Sequence, residues 1–230
     1  MTSPLRPVVG LVTIGQSPRA DIVPDMAAII GPGIDIREAG ALDGLSRAEV
    51  EALKPTGDDE ILVTRLQDGT GVFVGKQKIV RLVEERIAHL EREGVQLTAL
   101  LCTGAFPPLR STRSLIQPQP VLFGTLRGMS WPGKLGVVTP SVPHVPQTEA
   151  RWRRDGFDPV VVPLSPYEEE DPAALRRAGG ALRSAGVGLV VMDCMGFRRK
   201  TRDEMRDLTG APVLLANFLV ARVIGELCGS

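Results

Sequence analysis

Two short apolar runs, each closed by a cysteine, limit what this chain can fold into. The first is Thr98-Ala99-Leu100-Leu101-Cys102-Thr103-Gly104, and the second is Leu189-Val190-Val191-Met192-Asp193-Cys194-Met195-Gly196. A buried parallel strand that stops at a loop has this pattern. In open α/β sheets, ligands bind at the loops outside the carboxyl ends of the strands. Two thiols placed there would face each other across one pocket.

The rest of the chain alternates strand and helix with short connections, which predicts an α/β fold with mostly parallel strands. Strands are expected at 8–14, 34–38, 134–138, 160–164 and 213–216, besides the two cysteine-terminated runs. Ser17-Pro18 suits a helix start, with serine as cap and proline in the first turn. Ser46 and Glu49 have capping-box spacing and open a short helix to Leu53. Asp68-Gly69, between apolar runs at 61–66 and 71–75, signals a hairpin. Residues 76–93 carry the clearest helical stripe, through Ile79, Val83, Ile87 and Leu90. Further helices are expected at 121–129, 145–154, 171–184, 200–208 and 218–227.

The two halves look alike. Gly10-Leu11-Val12-Thr13-Ile14-Gly15 opens one, Leu135-Gly136-Val137-Val138-Thr139-Pro140 opens the other, and each then reaches a cysteine-terminated strand. The hairpin near 61–75 and the helix before it account for the greater length of the first half. A proline-rich stretch at 107–120 marks the junction. The expectation is two pseudo-symmetric lobes, 1–110 and 111–230, with a site between them and the last helix packing back on the first lobe.

Composition narrows the function. Lys plus Arg and Asp plus Glu number 27 each, so no basic field points to nucleic acid. No apolar run approaches membrane-spanning length. The opening residues do not resemble a leader, and three dispersed cysteines suit neither a disulfide framework nor a zinc site, so a reducing, cytoplasmic setting is expected. Two histidines leave no histidine-rich metal site, and no glycine-rich phosphate loop supports a nucleotide cofactor.

A lone buried cysteine is most often a small hydrophobe. Two at equivalent strand ends point instead to a thiolate base and a thiol acid on opposite faces of a substrate. After the first strand, Gly15 allows close backbone approach, Gln16 and Ser17 offer neutral donors, and Arg19 offers a bidentate cation, which together suit a carboxylate. Thr103 and Gly104 would hold a second oxygen. Thr139 and Ser141 occupy the corresponding loop of the second half, with His144 nearby as a proton carrier, donor or cap. Met195 and Gly196 complete the candidate set behind the second cysteine.

These segments resemble the AroM family, carried by LVTIGQSPRADIVPDM from Leu11, ILVTRLQDGT from Ile61, LLCTGAFP from Leu100, GVVTPSVPH from Gly136, VMDCMGF from Val191 and ANFLVARVIGEL from Ala216. AroM proteins are similar to the aspartate/glutamate racemase superfamily, which includes hydantoin racemase, maleate isomerase and arylmalonate decarboxylase. The resemblance implies two similar α/β lobes, no cofactor, a homodimer, and one cysteine per lobe on opposite sides of the substrate α-carbon. Cys102 and Cys194 match those positions, and Thr103 matches the threonine near the first cysteine. Amino acid racemases usually follow the first cysteine with Asn-Thr and the second with Thr-His. Thr103-Gly104 and Met195-Gly196 depart from both, which argues against aspartate or glutamate as substrate. The expectation is therefore a cofactor-independent racemase or isomerase of a small carboxylate-bearing compound. A single-thiol decarboxylase or cis/trans isomerase and a non-catalytic carboxylate-binding protein are the alternatives.

Overall fold

Gly10 and Gly136 anchor two copies of one packing pattern. A side chain on Gly10 would collide with Leu90, Val95 and Thr98, and one on Gly136 with Leu182, Val187 and Val190. In each half a leucine and a valine, spaced identically, come from the end of a helix and the start of the next strand. Glycine is required because the helix-to-strand turn lies directly on the backbone of the first strand. The residues paired with these glycines are Thr98 and Val190, and each cysteine lies four residues further on.

These relations come from a computed structural model that describes residues 6–167 and 171–229; residues 1–5 of the opening segment lie outside it. The first half runs β1 (Val8–Thr13), α1 (Val23–Ile30), β2 (Asp35–Gly40), α2 (Arg47–Ala52), β3 (Ile61–Arg65), β4 (Gly71–Gly75), α3 (Lys76–Arg92), β5 (Leu97–Leu101), β6 (Ser114–Ile116) and α4 (Pro118–Arg127). The second runs β7 (Lys134–Thr139), α5 (Val145–Arg154), β8 (Pro159–Pro163), α6 (Pro172–Ser184), β9 (Val187–Met192), α7 (Arg199–Thr209), β10 (Val213–Leu215) and α8 (Ala216–Cys228). One parallel sheet has the order β2-β1-β5-β6 and the other β8-β7-β9-β10, the same topology twice. The β3–β4 pair is a separate antiparallel hairpin.

Alternation along the strands sorts the core into layers. Val9, Leu11, Leu97 and Ala99 from one sheet, and Leu135, Val137, Leu189 and Val191 from the other, face a common apolar layer. Residues of α1, α4, α5 and α8 fill it, including the fully buried Trp152. α8 packs against α1, α4 and β5, so the closing helix returns to the first half. The opposite strand faces have separate cores: Val12, Leu100 and Cys102 under α3 and the hairpin, and Val138, Val190, Met192 and Cys194 under α6 and α7. Each fully buried aliphatic side chain contributes about 1.5–3 kcal/mol, and the central layer draws such side chains from both halves.

One expectation is corrected. Ser17 does not cap a helix, and α1 begins only at Val23. The Ser17 hydroxyl donates to Asp43 Oδ2 at 2.6 Å and its N–H to Asp43 Oδ1 at 2.7 Å. A hydroxyl committed to a distant carboxylate is not available to the next turn of backbone, and charge-assisted bonds outweigh a local cap. β6 pairs with β5, so the first sheet reaches Ile116.

Candidate active site

At the carboxyl ends of β5, β7 and β9 the chain forms a small cavity of about 30 Å³. Cys102, Thr103 and Gly104 form one wall, Cys194 and Met195 another, and Leu62, Val63 and Thr64 of β3 close a third. His144, just before α5, and Gln147, Thr148 and Arg151 of α5 add to the lining, as does Tyr167, beyond β8. Two direct contacts tie its walls together. The Thr103 hydroxyl donates to the Asp193 carbonyl at 3.1 Å, tying the two cysteine loops together. Gln147 clamps the hairpin, accepting from Ile61 N–H at 3.0 Å and donating to the Ile61 carbonyl at 2.6 Å.

Both thiols are buried, at 9% and 7% exposure, and each takes an N–H from the glycine two residues on. Gly104 N–H lies 3.4 Å from the Cys102 sulfur. Burial pushes the Cys102 thiol up to about 12; the Gly104 N–H and the charge of Arg151 pull back only in part, and Cys194 adds to the rise. Burial also raises Cys194, against the opposing pull of Gly196 N–H, the Tyr167 hydroxyl and Arg19. Both sulfurs are therefore thiols at neutral pH, and both have groups around them that favour a thiolate once the cavity is less dry.

Two buried arginines cross between the halves. Arg19 of the first half holds Asp21 bidentately (both at 2.8 Å), donates to the Thr13 hydroxyl at 2.9 Å and reaches the Tyr167 hydroxyl at 3.4 Å. The Tyr167 hydroxyl sits 3.8 Å from the Cys194 sulfur of the second half. Arg151 of the second half donates to Asp193 Oδ2 at 2.5 Å and lies 3.9 Å from Glu60, and it is the cation that acts on Cys102 of the first. Burial works against the Arg19 charge, but Tyr167 and Asp21 outweigh it and raise its pKa. Burial, and then Cys194, raise the Tyr167 phenol. Gly196 permits this contact, because a Cβ there would lie 2.6–2.7 Å from Tyr167 ring and hydroxyl atoms.

His144 is buried, its Nδ1 2.7 Å from the Ser141 hydroxyl. Burial lowers its pKa to about 4 and the Arg151 charge adds to the fall, outweighing the opposite pull of Asp193 and Glu60, so the ring is neutral. The Asp193 charge adds to the rise of Cys194. The Asp193 carboxylate takes Arg151 and the Trp152 indole N–H, the latter at 2.7 Å.

Of the residues singled out from sequence, Cys102, Thr103, Gly104, Thr139, His144, Cys194 and Met195 line this cavity. Gly15, Gln16, Ser17 and Arg19 do not. Gln16 N–H donates to the Arg65 carbonyl at 3.1 Å, and its side chain bridges Leu42 and Gln67. Gly15 packs against Thr64 and Arg65, and Ser17 is held by Asp43. Gln16 is thus engaged by the hairpin, Ser17 by Asp43 and Arg19 by Asp21. Ser141 stands behind His144, and Gly196 faces a neighbouring cavity of about 580 Å³ that shares Tyr167 with the inner one. Thr64, Arg151, Tyr167 and Asp193 also line the cavity and fall outside the set singled out from sequence. Among them only Tyr167, the one tyrosine in the chain, stands out in the sequence. Among the described residues no group of three His, Cys, Asp or Glu is placed to hold a metal ion, and no helix is long and apolar enough to cross a membrane.

Comparison with known proteins agrees with this architecture. The sequence matches the family described as AroM protein over residues 9–228. A comparison with curated protein sequences gives no significant match. Among solved structures, a glycine-to-cysteine variant of arylmalonate decarboxylase in a sulfate-associated form aligns with a TM-score of 0.64 at 15% identity, over 97% of this chain and 94% of that one. Allantoin racemase from Klebsiella pneumoniae aligns at 0.63 and 14% identity, over 97% and 88%. Glutamate racemase from Aquifex pyrophilus aligns at 0.59 and 15% identity, over 96% and 83%. At such identities the likeness is one of fold.

Proposed function

The chain belongs to the AroM family, and from that premise we propose that it is a cofactor-independent racemase or isomerase of a small carboxylate-bearing compound. The observation that carries the reading is that Cys102 and Cys194, at equivalent positions of the two halves, line one cavity. In this scheme the thiolate of one cysteine removes the proton from the carbon beside the carboxylate. The C–H electron pair moves into the carboxylate as enolate-like charge, which the surrounding donors stabilise. The other cysteine delivers its thiol proton to the opposite face. Configuration inverts, and the two sulfurs have exchanged protonation states. Cytoplasmic location and assembly as a homodimer belong to the same proposal.

The raised pKa values favour a second reading, a decarboxylase in which one thiol acts only as an acid. There the C–C bond breaks, carbon dioxide leaves, its electron pair forms the enolate, and the thiol protonates the carbon. The thiolate then recovers a proton from water. The pH profile separates the two. Two-thiol proton exchange needs a thiolate, so its kcat/KM climbs with pH through the neutral range. An acid-only thiol gives a flat profile there and falls as the thiol ionises.

A panel of carboxylic acids, amino acids and hydantoins incubated in heavy water tests the proposal. Deuterium entering a carbon beside a carboxylate or carbonyl, with inversion, supports it. Loss of carbon dioxide with a single deuterium incorporated supports the decarboxylase. Ligand-induced stabilisation with no deuterium uptake from any compound refutes both and leaves a binding protein.

A further inference from the structure

The repeat gives both thiols the same first hydrogen bond and only one of them a second. Each sulfur takes the N–H of the glycine two residues on. Among the described residues that is the one hydrogen bond Cys102 receives, and the neighbouring Thr103 hydroxyl goes to the Asp193 carbonyl. Cys194 also has the Tyr167 hydroxyl, 3.8 Å from its sulfur.

The groups that make this difference are not repeated. Ala41 N–H donates to the Thr13 carbonyl and Leu164 N–H to the Thr139 carbonyl, both at 2.9 Å, which sets the two halves in register just beyond β2 and β8. Three residues past these positions the first half has Gly44 where the second has Tyr167. Glycine has no side chain with which to offer Cys102 a hydroxyl. Six residues past Thr13 stands Arg19, and six past Thr139 stands Val145. Arg19 and Tyr167 come from different halves and meet beside one sulfur.

Their contact orients the phenol. Arg19 Nη2 donates to the Tyr167 oxygen at 3.4 Å, and its guanidinium carbon lies 5.7 Å from the ring centroid. With that N–H on the oxygen, the O–H is left to donate, and the Cys194 sulfur lies within its reach. Burial keeps the phenol protonated well above neutral pH, so it remains a donor. A hydrogen bond to a charged acceptor is shorter and stronger than one to a neutral acceptor. The contact therefore tightens when Cys194 becomes a thiolate and favours that state. Arg151 acts on Cys102 only through its charge, which Asp193 and Glu60 offset.

We infer that Tyr167 is a positioning residue that donates to the Cys194 thiolate and selects that sulfur as the base, leaving Cys102 as the acid. The inference rests on the functional reading above and gives its two thiols separate starting roles. Cys194 enters as thiolate, takes the proton from carbon and becomes a thiol. The C–H electron pair passes into the enolate, and Cys102 gives its proton to the opposite face and becomes the thiolate. Proton exchange with water then restores the starting state.

The test needs no substrate. Iodoacetamide alkylation of Cys194 is followed by peptide mass spectrometry in full-length protein carrying Cys102→Ser and Cys228→Ser, with and without Tyr167→Phe. The phenylalanine ring keeps the sulfur covered and removes only the donor. Losing a hydrogen bond to a charged group moves ionisation up by roughly one to two pH units. A more basic thiolate is also more nucleophilic, so about half of that logarithmic effect survives in the rate. Tyr167→Phe is therefore expected to slow alkylation of Cys194 at pH 8 about three- to tenfold and to move its pH profile upward. Cys102, followed in protein carrying Cys194→Ser and Cys228→Ser, is expected to keep its rate when Tyr167→Phe is added. Arg19→Lys keeps the charge beside Asp21 but loses the fork that also holds the phenol. It is expected to slow Cys194 in the same direction, and it decides if Tyr167→Phe does not fold. An unchanged or faster rate at Cys194, or an equal slowing of Cys102, overturns the inference. The expected rates together with no deuterium uptake from any compound would refute the catalytic reading and leave the ordering of the two thiols standing.

Discussion

The state of the Cys102 thiol gives a prediction that requires no substrate. Its pKa of about 12 arises chiefly from burial. At pH 8 such a group is thiolate in about one molecule in ten thousand, against roughly one in four for a free cysteine of pKa about 8.5. Iodoacetamide should therefore alkylate Cys102 about three orders of magnitude more slowly than a free thiol. In protein carrying Cys194→Ser and Cys228→Ser, only this thiol reports. Peptide mass spectrometry should show its rate rising about tenfold per pH unit from 7 to 10 without a plateau. Leu62, 4% exposed, covers the Cys102–Gly104 loop, and a Cβ on Gly104 would meet its Cδ2 at 2.8 Å. Leu62→Ala should admit water, lower the thiol pKa and speed alkylation at pH 8 by tenfold or more. A plateau below pH 9 in the parent protein, or no response to Leu62→Ala, would refute desolvation as the cause.

Other consequences concern the groups around the thiols. Because His144 titrates near 4 when folded and near 6.5 when unfolded, the unfolded chain binds more protons between those values. Stability should rise by about 3 kcal/mol from pH 4 to 6.5 and be lost again on acidification; urea midpoints for His144→Gln should show a flatter slope over that interval. Asp193→Asn leaves Arg151 buried without its carboxylate, costing about 3–5 kcal/mol and lowering the melting temperature by roughly 6–20 °C; a fall of under 3 °C would mean that the pair carries no such weight. Gly196→Ala should displace Tyr167 and expose Cys194, seen as faster alkylation of that thiol at neutral pH, and an unchanged rate would contradict the packing described.

Local chemistry made much of this fold readable. The α3 stripe, the Ser46–Glu49 capping box and the Asp68-Gly69 turn depend on neighbours in sequence, and each forms where its pattern lies. The repeat was visible because Gly10 and Gly136 each mark a strand that a helix end must approach closely. β6 was missed because three residues, Ser114 to Ile116, carry no period of their own and sit among prolines; pairing with β5 makes them a strand. Ser17 misled because its bond to Asp43 spans 26 residues, and no local signal reveals it. The site shows the same division. The cysteines stood out because strand ends are local features. Arg151 did not, because α5 carries Arg151, Arg153 and Arg154 within one turn, and only the second half's sheet determines which of them is buried beside Asp193.

The proposed function has each half contribute one sulfur to a shared site, with proton transfer on opposite faces of the substrate. With whichever compound takes up deuterium, Cys102→Ser and Cys194→Ser should be assayed separately for inversion and for hydrogen exchange, starting from each enantiomer. The arrangement predicts that both variants lose inversion, and that any exchange they retain is confined to one enantiomer, opposite in the two proteins. Full inversion by either variant, or exchange in both confined to the same enantiomer, would contradict it.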